Sequence, residues 1–294
     1  MATLSQWVEG ARPRTLPAAV SPVLVGTGAA FAVHQASLAS ALLALLVSVA
    51  LQVGVNYAND YSDGVRGTDE QRVGPVRLVG QHLANPENVK LAAMACFGAA
   101  ALIGLALVAL TASWWLLVVG GAAILAAWYY TGGRRPYGYA GLGEVFVFVF
   151  FGLVAVLGTT WTQAHQLTLA AWAGAVGIGA LASAILVANN LRDIPGDTAA
   201  GKRTLAVRLG DFGSRFLYAG LLGLALAAVV VASLDHVTAL LALLSFALAV
   251  PLLRKVFAGA RGRDLIPVLA GTGMLELAYA VLLTVGLMLG NRAG

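Results

Sequence analysis

A polar segment near residue 60 combines carboxylate and amide side chains at helical spacing. The stretch Asn56–Asp69, NYANDYSDGVRGTD, follows a long apolar run. If the helix continues through it, offsets of three and four residues place four polar side chains on one face, namely Asn56, Asn59, Asp60 and Asp63. Such oxygen donors suit Mg²⁺, which takes one or two carboxylates and completes its coordination with water and phosphate oxygens. The segment therefore predicts a magnesium site at a helix end.

A second segment repeats this chemistry far downstream. The stretch Asn189–Asp197, NNLRDIPGD, also follows an apolar run, and its acids Asp193 and Asp197 are four residues apart. Because Pro195 and Gly196 interrupt that spacing, we expect Asp197 to lie just past the end of the helix. Two acidic helix ends of this kind could hold a pair of Mg²⁺ ions, with a polyanion bridging the ions.

Basic side chains close to both segments could bind the phosphate groups of such a polyanion. One pair lies in the loop 61–88, which we interpret as a lid. A second pair lies in the glycine-rich stretch GGRRPYGYAGLGE, where neighbouring guanidinium groups could clamp phosphate oxygens. The alternative is that these charges only mark the cytoplasmic side of a membrane protein. The candidates are Arg66 and Arg72, Arg134 and Arg135, and Lys202 and Arg203.

The composition indicates an integral membrane protein. Of the 294 residues, 60% are hydrophobic and 11% are charged, whereas soluble domains have about 25% charged residues. We predict an all-α, multi-pass bundle of about nine transmembrane helices in a single domain, 1–294, with a cytoplasmic cap from two long loops, 61–88 and 193–212. The predicted spans are 16–34, 38–62, 89–110, 112–131, 142–162, 167–192, 213–233, 237–257 and 266–289.

The net charge of +5 is distributed in a way that argues against nucleic acid as a partner. With nine alternating spans, nearly all lysines and arginines fall in the connections on one side, and Arg292 falls on the other. The positive-inside rule makes the basic side cytoplasmic. Both acidic segments lie on it, so we expect an active site that faces the cytoplasm from the cell membrane.

A lipid diphosphate would use every one of these features. Mg²⁺ and basic side chains stabilise the charge that builds up on a departing diphosphate. An apolar cavity open to the bilayer would admit an isoprenoid tail, and aromatic rings would stabilise the resulting allylic cation. An electron-rich second substrate would then be alkylated.

In its acidic motifs the chain resembles the UbiA superfamily of intramembrane aromatic prenyltransferases. The first motif of that family is commonly Asn-x-x-x-Asp-x-x-x-Asp. Asn59 and Asp63 match its first two positions, and Gly67 occupies the third. The second motif, Asp-x-x-x-Asp, is matched in full by Asp193 and Asp197.

Within that superfamily the chain is most similar to the polyprenyltransferases of menaquinone synthesis. Three stretches carry the similarity, NDYSDGVRGTD, YTGGRRPYGYAGLGEVFVFVFFG and NNLRDIPGDTAAGKRTLAVRLG. The resemblance implies a Mg²⁺-dependent transfer from polyprenyl diphosphate to 1,4-dihydroxy-2-naphthoate, which yields demethylmenaquinone, CO₂ and diphosphate.

The resemblance also implies roles for individual residues. Asp69, two positions after Gly67, is expected to replace the missing third acid. The expected substrate-binding residues are the six basic candidates together with Asn56 and Asn190. The implied metal or metal-diphosphate ligands are Asn59, Asp63, Asp193 and Asp197, and the implied catalytic acids are Asp60, Asp63, Asp193 and Asp197.

Two alternative functions use the same residues. One is prenylation of another acceptor, such as 4-hydroxybenzoate, a porphyrin or a chlorophyllide. The other is an ion-coupled transporter that uses intramembrane acids as ion sites. The acids cluster at one membrane face, whereas transporter sites lie near the midplane, and this favours the enzyme.

Overall fold

The computed structural model of the chain describes residues 2–67 and 76–290. Two predicted site residues, Arg72 and Asp69, lie outside the described residues. Within these ranges the structure is helical, and its α-helices are α1 Leu4–Gly10, α2 Leu16–Ala32, α3 Leu38–Val65, α4 Pro86–Thr111, α5 Leu116–Tyr129, α6 Gly143–Val147, α7 Gly158–Ala164, α8 Leu169–Ala199, α9 Leu205–Ala232, α10 Ala249–Phe257 and α11 Ile266–Gly290.

Short irregular helices join several of these elements. A π-helical segment continues α6 directly into α7, and a 3₁₀ segment leads into α10, so each of these runs forms one membrane-length helix. The π-helical segment is Phe148–Leu157, and the 3₁₀ segments are Pro13–Thr15, Tyr137–Ala140, Val237–Leu248 and Gly262–Leu265.

The prediction of an all-helical membrane bundle is confirmed. In the described part of the chain, eight helices are long and apolar enough to cross a membrane. The fourth predicted span, 112–131, is represented by α5, which has only 14 residues. Helical rise gives α5 a length of about 21 Å, which is shorter than the hydrocarbon core of a typical bilayer.

The predicted second cap loop, 193–212, is wrong. α8 continues through Pro195 and Asp197 to Ala199, and α9 begins at Leu205. Proline removes a single backbone donor, which is tolerable here because the helix has only four residues left. Backbone bonds then close the helix end, from Lys202 N–H to the Asp197 carbonyl at 2.8 Å among others. Asp197 therefore has a fixed position on α8, not one in a loop.

A kink at the start of α9 separates its first turn from the membrane span. Gly210 has a φ of 71°, in the left-handed region that favours glycine, and divides a short first turn from the long helix that follows. The predicted span 213–233 corresponds to this second part. The first loop also starts later than predicted, because α3 extends to Val65.

Small residues let the helices around α8 approach each other closely. A Cβ atom on Gly152 of the π-helical segment would lie 2.6 Å from both the Ala175 carbonyl oxygen and the Gly179 Cα of α8. On the other side of α8, Gly177 accommodates the hydroxyl of Tyr279 from α11. Helix packing in membranes depends on such close van der Waals contact. The glycines of α8 therefore act in packing, as their sequence context indicates.

The helices surround a large cavity of about 1080 Å³. α8 packs along α9 and against the π-helical segment, α3 packs along α4, and α2 packs on α11. Most of the cavity wall is apolar, with side chains such as Val47 and Leu51 from α3 and Val154 from the π-helical segment. Its polar end lies where α3 and α8 both finish, and this end contains Asp63 and Asp197.

We predict that Gly152→Ala destabilises the protein, whereas Gly98→Ala does not. The added methyl group at Gly152 would overlap backbone atoms of α8, which cannot move without shifting the helix. Overpacking of this kind costs about 1–3 kcal/mol. Gly98 on α4 is the matched control, because nothing lies within 4 Å of its added Cβ. Thermal unfolding in detergent measures both variants, and equal melting temperatures for the two would contradict the packing account.

Candidate active site

One lysine connects the two acidic helix ends. Lys202 Nζ lies 3.4 Å from Asp63 Oδ1 and 3.8 Å from Asp197 Oδ1. All three side chains are buried and line the cavity. Asp63 belongs to α3 and Asp197 to α8, so the structure brings the first and second acidic segments together at one polar end of the cavity.

The connection after α5 holds the first acidic segment in place. The hydroxyl of Tyr139 donates a short hydrogen bond to Asp63, and the hydroxyl of Thr131 donates to Asn59 Oδ1 at 2.8 Å. Lys202 lies over the ring of Tyr139, with Nζ 4.5 Å from the ring centroid, a distance typical of cation–π contacts. The Arg203 N–H also donates to the Tyr139 carbonyl at 2.9 Å. Tyr139 thus links α3 to the chain after α8.

The second acidic segment contains a buried ion pair that sequence reasoning missed. The Arg192 guanidinium binds both carboxylate oxygens of Asp193, at 2.6 and 2.7 Å, and donates to Asn189 Oδ1 at 2.8 Å. Arg192 and Asn189 line the cavity, whereas Asp193 lies behind them. Helical spacing does not predict this pair, because residues that are adjacent in a helix do not ordinarily face each other. The pair presents a guanidinium to the cavity.

The two asparagines predicted to bind substrate, Asn56 and Asn190, line the cavity. Asn56 Nδ2 donates to the Ala11 carbonyl at 2.9 Å and to Thr15 Oγ1 at 3.0 Å. Asn190 Nδ2 donates to Glu144 Oε1 at 2.9 Å. Each side chain is fixed by a different neighbouring element, so the positions of both amides are set before any ligand binds.

Asp60 faces away from the cavity, unlike the other polar residues of its segment. It is 1% exposed, and its two carboxylate oxygens accept the backbone N–H groups of Leu78 at 2.6 Å and Val79 at 3.3 Å. The four polar residues share a broad helix face, so three of them meet the cavity while Asp60, at its edge, meets the backbone of Leu78 and Val79. The carboxylate of Asp60 fixes the chain that returns from the first loop.

Most of the predicted phosphate-binding arginines lie outside the cavity lining. Arg134, Arg135 and Arg203 are exposed. Arg66 is also exposed, and its guanidinium donates to the carbonyl oxygens of Thr131 and Gly133, so it fastens the end of α3 to the connection after α5. Among the predicted basic residues within the described ranges, Lys202 alone lines the cavity. The arginines that line the cavity are Arg12, Arg14, Arg77 and Arg192.

The donor set at the polar end fits Mg²⁺ shared with a substrate. Asp63, Asp197 and Asn59 supply hard oxygen atoms on the cavity wall. In the described ranges, no three His, Cys, Asp or Glu side chains gather closely enough to hold an ion by themselves. Mg²⁺ is ordinarily held by one or two carboxylates and takes its remaining ligands from water and phosphate. The arrangement therefore suits an ion that arrives with a phosphate compound.

Aromatic side chains form the wall next to the polar end. The rings of Tyr137 and Phe146 stack with their centroids 4.0 Å apart, and Phe150 continues the stack at 6.0 Å from Phe146. Tyr137 donates its hydroxyl to the Ala126 carbonyl at 2.8 Å, and burial raises the pKa of this phenol. The phenol therefore stays neutral at physiological pH and offers the cavity an aromatic surface, not a base.

Solved structures of archaeal membrane proteins share this architecture. The chain superposes on a UbiA homolog from Aeropyrum pernix K1 with a TM-score of 0.70 and 14% identity, over 92% of this chain and 97% of that one. A UbiA homolog from Archaeoglobus fulgidus, bound to DMAPP and Mg²⁺, matches with a TM-score of 0.62 and 16% identity, over 96% and 99% of the two chains. At these identities the likeness concerns the fold.

Sequence comparison gives a much stronger relationship. The chain is 54% identical to the 1,4-dihydroxy-2-naphthoate octaprenyltransferase of Mycobacterium tuberculosis over 291 residues, or 99% of both chains. The profile of the UbiA prenyltransferase family matches residues 19–266. The acidic ends of α3 and α8, the cavity between them and this match lead to one conclusion: the chain belongs to the UbiA prenyltransferase family.

Proposed function

We propose that the protein transfers a polyprenyl group from polyprenyl diphosphate to 1,4-dihydroxy-2-naphthoate, with loss of CO₂, to give demethylmenaquinone. The observation that carries the proposal is the ammonium group of Lys202 between Asp63 and Asp197, at the polar end of an otherwise apolar cavity. The name of the 54% identical relative supports the choice of acceptor. The DMAPP and Mg²⁺ in the homolog from Archaeoglobus fulgidus support a metal-bound diphosphate.

The diphosphate binds at the polar end in this account. Asn59, Asp63 and Asp197 are the proposed ligands for Mg²⁺. Asp193, the other acid of the second segment, binds the Arg192 guanidinium that lines the cavity. Bound Mg²⁺ supplies positive charge that stabilises the diphosphate as it leaves. Lys202 and Arg192 provide cationic groups from the protein for the same oxygens, and both line the cavity. Because these groups are fixed before reaction, they need little reorganisation as negative charge develops.

The apolar and aromatic walls have two tasks. They bury the isoprenoid tail away from water, since the cavity is lined mainly by aliphatic side chains beyond its polar end. Tyr137, Phe146 and Phe150 place aromatic rings in the cavity wall. An aromatic ring whose face meets an allylic cation stabilises that cation through its negative quadrupole. Exclusion of water also protects that cation from hydrolysis.

The acceptor reacts without a dedicated protein base. The bond between the allylic carbon and the diphosphate oxygen breaks, and the diphosphate keeps the electron pair. A ring carbon of the dihydroxynaphthoate then forms the new carbon–carbon bond. Loss of CO₂ returns the electrons of the broken carbon–carboxylate bond to the ring, so decarboxylation replaces the usual deprotonation step.

We also propose that the active site faces the cytoplasm. In the predicted nine-span order, the ends of α3, α5 and α8 and the start of α2 lie on the same side. The basic residues of the chain concentrate at these ends and at the connection between α10 and α11. The positive-inside rule then makes this side cytoplasmic. Water-soluble acceptor and released diphosphate would exchange directly with the cytoplasm.

We predict that 1,4-dihydroxy-2-naphthoate is prenylated in strong preference to other aromatic acids. The measurement supplies purified protein, Mg²⁺ and labelled polyprenyl diphosphate with one acceptor at a time, and follows label in the extracted quinol. Labelled CO₂ released from carboxyl-labelled acceptor gives a second readout. Equal product from 4-hydroxybenzoate would overturn the acceptor assignment, and diphosphate release with no acceptor product would overturn the transferase assignment.

We predict that Asp63→Ala and Asp197→Ala each reduce turnover at least about 100-fold, because each removes a proposed metal ligand at the reacting end. Asp235→Ala is the matched control, since this exposed aspartate follows α9 outside the cavity lining and should leave turnover unchanged. Thermal unfolding in detergent checks that the variants fold. Near-normal turnover in either cavity variant would refute its place in the site.

We predict that Lys202→Met raises the KM for polyprenyl diphosphate with little effect on the KM for the acceptor. Loss of a hydrogen bond to a charged group costs about 1.5–3 kcal/mol, which corresponds to roughly a tenfold to hundredfold increase. Lys90→Met is the control, because Lys90 lies outside the cavity lining, where it pairs with Glu87 and contacts the Tyr61 ring. Steady-state kinetics with each substrate varied in turn gives both values, and an unchanged KM for the diphosphate would contradict the role of Lys202.

A further inference from the structure

The cavity has a second polar wall, set back along α3 from the end that carries Asn59 and Asp63. Gln52 and Asn56 of α3 contribute to it, and the chain before α2 contributes Arg12 and Thr15. At 1.5 Å per residue along a helix, Gln52 lies about 10 Å beyond Asn59, towards the membrane interior. This distance separates it from the residues proposed to bind diphosphate and metal. The function proposed above gives Gln52 no part.

Neighbouring hydrogen bonds determine which way the Gln52 amide faces. Thr15 Oγ1 donates its only hydrogen to the Arg12 carbonyl at 2.9 Å, so towards other groups this oxygen can act only as an acceptor. Gln52 Nε2 lies 2.8 Å from Thr15 Oγ1 and must be the donor in that contact. The amide nitrogen therefore faces Thr15, and the carbonyl oxygen Oε1 faces the other way.

The carbonyl oxygen of Gln52 has no hydrogen-bond partner in the described part of the chain. The side chain is 6% exposed, and Oε1 itself is buried. Buried polar atoms in folded proteins are paired in the great majority of cases, and an exception calls for an explanation. The nearby amide of Asn56 shows the ordinary situation, since its nitrogen is paired with two oxygens. Gln52 thus has an unpaired acceptor atom and lies in the cavity lining.

We propose that Gln52 Oε1 accepts a hydrogen bond from a ring hydroxyl of the aromatic acceptor and thereby contributes to acceptor specificity. The inference rests on the function proposed above and adds a residue to it. The acceptor ring must lie next to the allylic carbon, and Gln52 is about two helical turns from Asn59 along the same cavity. A carbonyl oxygen accepts but cannot donate, so it favours a hydroxyl over an ether at the position that it contacts.

The same wall suits the rest of the acceptor. Arg12 lies close to Gln52, because the Arg12 carbonyl and the Gln52 amide both bond to Thr15 Oγ1. Its permanent positive charge complements an aromatic carboxylate, and Arg77 adds a second guanidinium to the cavity lining. A site that is built to pair a substrate hydroxyl discriminates strongly against analogues without it, because the buried partner is then left unpaired. Gln52 would therefore distinguish acceptors that carry the ring hydroxyl from analogues that lack it, which an apolar pocket does only weakly.

The test measures acceptor dissociation constants for wild-type protein, Gln52→Leu and Gln52→Met, with 1,4-dihydroxy-2-naphthoate and each of its two mono-O-methyl ethers. We expect the wild type to bind one of the ethers at least tenfold more weakly than the diol. Both variants should lose that difference, and their affinity for polyprenyl diphosphate should be unchanged. Gln163→Leu is the matched control, because the buried carbonyl of Gln163 already accepts the Ser37 N–H at 3.1 Å.

Several results would overturn the proposal, and they differ from failure of the proposed function. If wild-type protein binds the diol and both ethers equally, Gln52 Oε1 does not read a hydroxyl, whatever the variants do. If both Gln52 variants keep the wild-type preference for the diol, the discrimination has another source. If wild-type protein neither binds nor prenylates 1,4-dihydroxy-2-naphthoate but does prenylate another aromatic acid, the acceptor assignment of the proposed function fails. The same ether comparison on that acid then tests Gln52 separately.

Discussion

The shared contact of Lys202 with Asp63 and Asp197 is the interaction on which the rest of the site depends. Burying a charged group is costly unless an opposite charge or hydrogen-bond donors compensate for it. Here one ammonium group offsets two carboxylates that belong to different helices, and the Tyr139 hydroxyl adds a further donor to Asp63. Removal of the cation would leave two like charges facing each other. The ends of α3 and α8 are therefore held together by the same groups that are proposed to bind a metal diphosphate.

The membrane environment explains why the remainder of the protein can enclose so large a cavity. Helices in a bilayer associate through close packing, because lipid tails are as apolar as the side chains that they contact. Gly152, Gly177 and Gly179 allow the π-helical segment and α11 to lie directly on α8. This tight half of the bundle fixes the acidic end of α8, and the other helices can then stand apart around an apolar space. A long lipid tail is the natural occupant of that space.

Sequence patterns predicted where polar side chains gather more accurately than they predicted the partner of each side chain. Apolar runs indicated the spans, and the motifs predicted a ligand set of Asn59, Asp63, Asp193 and Asp197. Asn59, Asp63 and Asp197 line the same cavity, whereas Asp193 lies outside the lining. Helical spacing gives a shared face but not the partner of each side chain. Asp60 binds backbone N–H groups from a loop that is distant in sequence, and Arg192 takes both oxygens of Asp193. Such choices depend on tertiary contacts that neither propensity nor spacing encodes.

The convergence of the two acidic helix ends can be tested directly by crosslinking. In a Cys96→Ser background, which removes the single native cysteine, cysteines introduced by Asp63→Cys and Lys202→Cys should be joined within one chain by a short bifunctional maleimide. Cysteines at positions 63 and 37 should not be joined, because these positions lie near opposite ends of α3, about 40 Å apart. Crosslinking of the 63–202 pair alone is the predicted result. Absence of that crosslink, with both cysteines reactive towards a monofunctional maleimide, would contradict the account.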